Sequence, residues 1–90
     1  MNLSIKYSEE AYKYMKRHRI HEKIRETIGK YIAHLKGGTV IPDIQKMRGK
    51  WEGYFRLRAG DLRIFIKPNM KEGFVYVLRI GTRGDIYKKN

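Results

Sequence analysis

Cysteine is missing from this 90-residue chain, which excludes disulfides and cysteine-ligated zinc and fits a reducing cytoplasm. Residues 1–7 hold no apolar run long enough for a signal sequence, and nothing later is long enough to span a membrane. Repeats, low-complexity tracts and linkers are also lacking, so residues 1–90 read as a single domain. Acidic residues are scarce: nine Asp and Glu stand against 21 Lys and Arg, a formal charge of +12. Such an excess seeks a polyanion, whether nucleic acid, an anionic membrane surface or an acidic protein. The simpler alternative is a solvated surface tuned for solubility. What the chain does have is 41% hydrophobic residues, enough for a globular fold. A chain of this length buries roughly 60–65% of its unfolded surface in one modest core.

The order of elements reads as strand, helix, helix, strand, strand, strand. Residues 2–7 alternate, with Leu3, Ile5 and Tyr7 on one side. Ser8 is the expected N-cap of a first helix, with Glu9 and Glu10 in its first turn and Ala11, Tyr12 and Met15 on its buried face. After a connector at His18-Arg19, Ile20, Ile24, Ile28, Tyr31, Ile32 and Leu35 recur at helical spacing, until Gly37-Gly38 ends the run. Gly29 sits inside that helix, either for close packing or simply tolerated. Residues 39–53 form a basic connection carrying Lys46, Arg48, Lys50 and Trp51. Residues 68–73 read as a turn and residues 74–80 as a central strand. The expected fold class is α+β: an N-terminal strand, a two-helix hairpin, then a three-stranded antiparallel meander with the helices on one sheet face.

Residues 54–66 carry the chemistry. They alternate polar and apolar around a tight turn. With Ala59-Gly60 as a two-residue loop, Leu57 opposes Leu62, Arg58 opposes Asp61 and Arg56 opposes Arg63. Leu57, Leu62, Phe55 and Ile64 then enter the core. Tyr54, Arg56, Arg58, Arg63 and Phe65 share the opposite, uncovered face. Direct Arg–Arg opposition costs roughly 0.2–1 kcal/mol, and an anion bound there would reverse its sign. Arginine forks grip phosphate oxygens and aromatic rings stack on unpaired bases, so this face suits single-stranded RNA; a solvated strand surface is the plainer reading. Metal-free RNA cleavage needs a base for the 2′-hydroxyl, cations for the phosphorane and an acid for the 5′-oxygen. The three histidines, His18, His21 and His34, all fall in the helical half. His18 and His21 alone are too few ligands to argue for a metal. Tyr54, Tyr87, Lys46 and Lys50 remain as proton-transfer candidates, and packing at the C-terminus is the simpler role for Tyr87.

Three segments, Lys46-Met47-Arg48-Gly49, residues 53–64 and Ile80-Gly81-Thr82-Arg83-Gly84-Asp85-Ile86-Tyr87, resemble the RelE/ParE superfamily of toxins, over nearly the whole chain. Within it the chain looks more like the RelE branch. That resemblance implies a toxin of a type II toxin–antitoxin system, a ribosome-dependent endoribonuclease that cuts messenger RNA in the A site without metal or other cofactor. It places Arg56 and Arg63 on the scissile phosphate. Arg83 would support the transition state or leaving group, and Tyr87 a base stack or proton transfer. Lys46, Arg48, Lys50, Tyr54, Arg58, Phe65, Lys88 and Lys89 would line the substrate path. A cognate RelB-like acidic antitoxin is the implied partner in a hetero-oligomer, beside the ribosome and mRNA. Two departures leave the base open: Tyr54 stands where the family has a further lysine, and Arg56 replaces a lysine of the best-known type. The ParE branch, acting on DNA gyrase, and a non-catalytic nucleic-acid-binding module are the alternatives.

Overall fold

The computed structural model describes residues 3–84 and 86. Along the chain lie β1 (Ser4–Tyr7), α1 (Glu9–His18), α2 (His21–Leu35), β2 (Ile44–Lys46), a 3-10 turn (Gly49–Trp51), β3 (Phe55–Ala59), β4 (Leu62–Asn69) and β5 (Phe74–Thr82). The strands form one mixed sheet in the order β1-β5-β4-β3-β2. β2 to β5 run antiparallel and β1 lies parallel to β5. The two helices on one face of a sheet agree with the α+β expectation. The short edge strand β2 was not anticipated: three residues inside a basic connection show no period, and only pairing with β3 makes them a strand.

Ser8 caps α1 as its sequence position suggests. Its hydroxyl accepts from the Ala11 N–H at 3.0 Å and donates to the Leu78 carbonyl at 2.7 Å, so the helix start is fastened to β5. Glu9 and Glu10 face the positive end of the helix dipole, and Lys16, Arg17 and His18 the negative end. α1 ends at Arg19, whose backbone is left-handed (φ 54°), with Ile20 N–H bonding back to Met15 O at 3.1 Å, a Schellman closure. Ala11 and Met15 are buried, while Tyr12, expected beside them, is exposed. In α2 the stripe narrows to Ile24, Ile28 and Tyr31, and Leu35 emerges into solvent as the helix outruns the sheet. These residues meet Leu57, Leu62, Ile64, Ile66, Val75, Val77 and Ile80 in the main core. Each fully buried aliphatic side chain there contributes about 1.5–3 kcal/mol.

Three further differences fix the geometry of the other face. The β3–β4 loop is Gly60-Asp61, not Ala59-Gly60: Ala59 pairs with Leu62, Arg58 with Arg63, Leu57 with Ile64 and Arg56 with Phe65. Gly60 (φ 61°) takes the first central position, as in a II′ hairpin, where a positive φ suits glycine and not alanine. β4 continues through Pro68 and Asn69, which pair with Val75 and Phe74. β3 pairs only as far as Ile66, so the missing proline donor interrupts no bond on that side. Finally, β5 bulges: Phe65 pairs with Arg79 but Ile66 with Val77, leaving Leu78 extra. The bulge inverts the alternation, so Val75 and Val77 point to the main core, Ile80 does too, and Arg79 and Gly81 turn to the opposite face.

Candidate active site on the basic sheet face

Two rows of side chains cross the face away from the helices. One runs Gln45, Arg56, Phe65, Arg79 through the paired strands; the next runs Arg58, Arg63, Gly81. Arg56 and Arg63 are therefore diagonal neighbours rather than direct opposites, at a spacing of roughly 7–8 Å between α-carbons. The directly opposed pair is Arg58–Arg63, and the fold separates it. Arg58 Nε meets Asp43 Oδ2 at 2.6 Å, a half-exposed pair worth about 0.2–1 kcal/mol. Arg63 Nη1 donates to the Gly60 and Leu62 carbonyls at 3.0 and 3.2 Å. No bound anion is needed to relieve the repulsion. Arg56 Nη2 donates to Gln45 Oε1 across the β2–β3 pair.

The face is not simply open. Phe65 is fully buried and Arg63 only 8% exposed. Phe65 belongs to a second, smaller cluster, built with Met47 and Ile86 and with Trp51, Tyr54 and Leu78 around it. The 3-10 turn delivers Trp51 onto Phe65 edge-on, centroids 5.0 Å apart. Ile86, two residues beyond Gly84, closes from the C-terminal side. It can do so because Gly81 has no side chain: a β-carbon there would lie 3.0 Å from Ile86 Cβ. Phe65 is thus a floor for other residues and is removed from the substrate path.

Around this floor the cations stay accessible. Lys46, Arg48 and Lys50 are exposed and Arg56 is half-buried. Gln45, Lys46, Met47, Arg48, Trp51 and Arg56 line a pocket of about 270 Å³. Tyr54 is half-buried, with Lys67 Nζ 5.4 Å from its ring centroid. Arg83 is exposed one residue past the Leu62–Thr82 pair, at the Arg63 end of the sheet. Tyr87, Lys88 and Lys89 lie outside the described residues. His18 and His21 sit on different helices, stacked on Tyr14 and edge-on to Tyr12. Among the described residues no group of three potential metal ligands exists, and no helix is long and apolar enough to cross a membrane.

Arg79 escaped the sequence reading. It is 8% exposed, donates to Ile86 O at 3.1 Å, pairs with Glu10 of α1 at 3.6 Å and lies 4.9 Å from the Trp51 ring centroid. One buried guanidinium so connects the helix layer, the bulge, the 3-10 turn and the C-terminal segment. Its signal in the sequence was an arginine at the in-facing parity of Val75 and Val77, which only a bulge can reconcile with burial of those valines.

Residues 3–87 match the family model described as the ParE toxin of type II toxin–antitoxin systems, parDE. The chain belongs to this toxin family. Its fold recurs in solved structures of the RelE/ParE superfamily. The toxin aligns with YafQ from E. coli strain BL21(DE3) at a TM-score of 0.62 and 18% identity, covering 93% of this chain and 97% of that one. The YoeB dimer from Staphylococcus aureus gives 0.65 at 15% identity over 92% and 99%. The RelBE2 toxin–antitoxin complex from Mycobacterium tuberculosis gives 0.62 at 16% over 92% and 100%. No curated protein matches the toxin.

Proposed function

We propose that this toxin is a metal-independent, ribosome-dependent messenger RNA endonuclease. The observation that supports it is the grouping of Arg56, Arg58 and Arg63 on adjacent strands of one face, with Arg83 following at the same end. A scissile phosphate lying across Arg56 and Arg63 meets guanidinium donors on two sides. These neutralise charge as the 2′-oxygen attacks phosphorus and the 5′-oxygen departs. Arg63 is held by the hairpin carbonyls and so reorganises little as charge develops. Arg83 supports the leaving oxygen, and Tyr87 is the candidate for stacking or proton transfer. The base is drawn from Tyr54, Tyr87, Lys46 and Lys50. An acidic antitoxin partner fits both the family and the +12 charge, and a cytoplasmic site of action fits the ribosomal target. Purified ribosomes programmed with a defined message test the reading: cleavage at one codon position, lost in Arg83→Ala, is the expected result.

A second reading follows from the family description itself, which names ParE: action on DNA gyrase. Gyrase-dependent DNA breaks with an intact message would select it, and binding of RNA without cleavage would select a non-catalytic module.

A further inference from the structure

We propose that Trp51 is the platform on which one unpaired base of the RNA stacks, with Lys46, Arg48 and Arg56 holding the flanking phosphates. The inference deepens the nuclease reading and rests on it only for the identity of the ligand as RNA. Three observations carry it. First, of the described aromatic residues on this face, Phe65 is fully buried and Tyr54 does not line the pocket that three cations share, whereas Trp51 does. Second, its ring is preset. Phe65 supports it at 5.0 Å and 66°, and the Arg79 guanidinium lies 4.9 Å from the ring centroid. Arg79 is anchored in turn by Ile86 O and Glu10. A plane fixed this way loses little side-chain freedom on binding. Third, the pocket's volume of about 270 Å³ falls below the roughly 300–1,000 Å³ of drug-sized ligand sites, which suits a single base rather than a larger group. Lys50 Nζ lies 5.3 Å from the same ring centroid; its flexible stem lets it move to a phosphate as a base takes its place.

An aromatic plane ringed by cations recognises single-stranded nucleic acid by stacking plus phosphate neutralisation. Trp51 is also the sole tryptophan of the chain, so its emission reports on the pocket directly. The test titrates the full chain, without ribosomes, against a short 2′-O-methyl RNA that cannot be cleaved and against the same oligonucleotide with one abasic position. The base-bearing RNA should quench Trp51. The oligonucleotide abasic at the stacking position should bind about 10- to 100-fold more weakly and leave emission unchanged. Trp51→Phe should keep affinity within a few fold and Trp51→Ala should lose it by about 10- to 100-fold, with circular dichroism verifying the fold. Equal binding at every abasic position, binding without quenching, no saturable binding, or quenching only by an acidic peptide overturns the proposal. Ribosomal cleavage with silent Trp51 emission sinks the platform alone. Quenching without cleavage sinks the nuclease alone.

Discussion

The two faces of the sheet are built from neighbouring residues by opposite rules. On the helix side, Leu57, Ile64, Ile66, Val75 and Val77 are fully buried among aliphatic side chains, and dispersion and hydrophobic burial hold them. On the other side, a small aromatic and aliphatic cluster supports guanidinium groups that are themselves partly withdrawn from water. Arg63 and Arg79 are each 8% exposed. Burying a charge is costly unless it is hydrogen-bonded or paired, and here backbone carbonyls supply the hydrogen bonds and Glu10 a counter-charge for Arg79. Both faces contribute packing, but only the second also holds cations in set positions, as the proposed cleavage needs for its transition state.

Phe65 and Ile64 are adjacent in β4 and point to opposite faces, so they give the sharpest contrast. Phe65→Ala should cost about 3–5 kcal/mol and Ile64→Ala about 2–5 kcal/mol. Only Phe65→Ala should shift Trp51 emission, because it removes the floor under that ring. Equal spectral effects in both variants would show that the faces are not energetically separate. Arg56→Ala is next in size. It should lower ribosomal cleavage about 10²- to 10³-fold with little change in melting temperature, the reverse of Ile64→Ala. Retained cleavage would remove Arg56 from the site.

Gly29 tests the helix layer. An added β-carbon there meets nothing within 4 Å, so the close-packing explanation fails and tolerance remains. Gly29→Ala should stabilise the fold by up to about 1 kcal/mol, measured by urea unfolding, without touching activity. Destabilisation would mean that a partner or a tighter packing requires the glycine.

The smallest effect concerns pH. Burial raises the phenol pKa of Tyr7 and of Tyr31 above 10.0, with the Arg25 guanidinium pulling Tyr7 partly back. The fold therefore favours the neutral phenol. That contribution is whole below the unfolded value near 10 and disappears as pH rises through the raised folded value. Melting temperature should fall more steeply above pH 10 in the wild type than in Tyr31→Phe; parallel curves would show that Tyr31 ionises as freely in the folded chain.

Much of this architecture was legible before any coordinates. Ser8-Glu9-Glu10 marks a helix start by local hydrogen bonding alone, and Ile24, Ile28 and Tyr31 mark a buried stripe by spacing alone. The division of residues 55–66 between two faces was also legible, and it survived a wrong loop placement. Moving the turn from Ala59-Gly60 to Gly60-Asp61 shifts each pairing by two residues, and a strand's side chains repeat every two. The chemical consequences are local: Arg58 in place of Arg56 opposes Arg63, Arg56 faces Phe65, and Asp61 leaves Arg58 for the turn. What stayed hidden was nonlocal: a three-residue edge strand, a bulge that turns Arg79 outward, and a tryptophan from a distant turn seated on Phe65.

Composition, charge and short-range periodicity are properties of the chain itself, so the basic character, the helices and the two-faced hairpin could be read from residue order. Register, bulge and the closure of Ile86 over Gly81 depend on which backbone groups find partners across the sheet. Those pairings are chosen by the energy of the assembled sheet, and no local pattern encodes them.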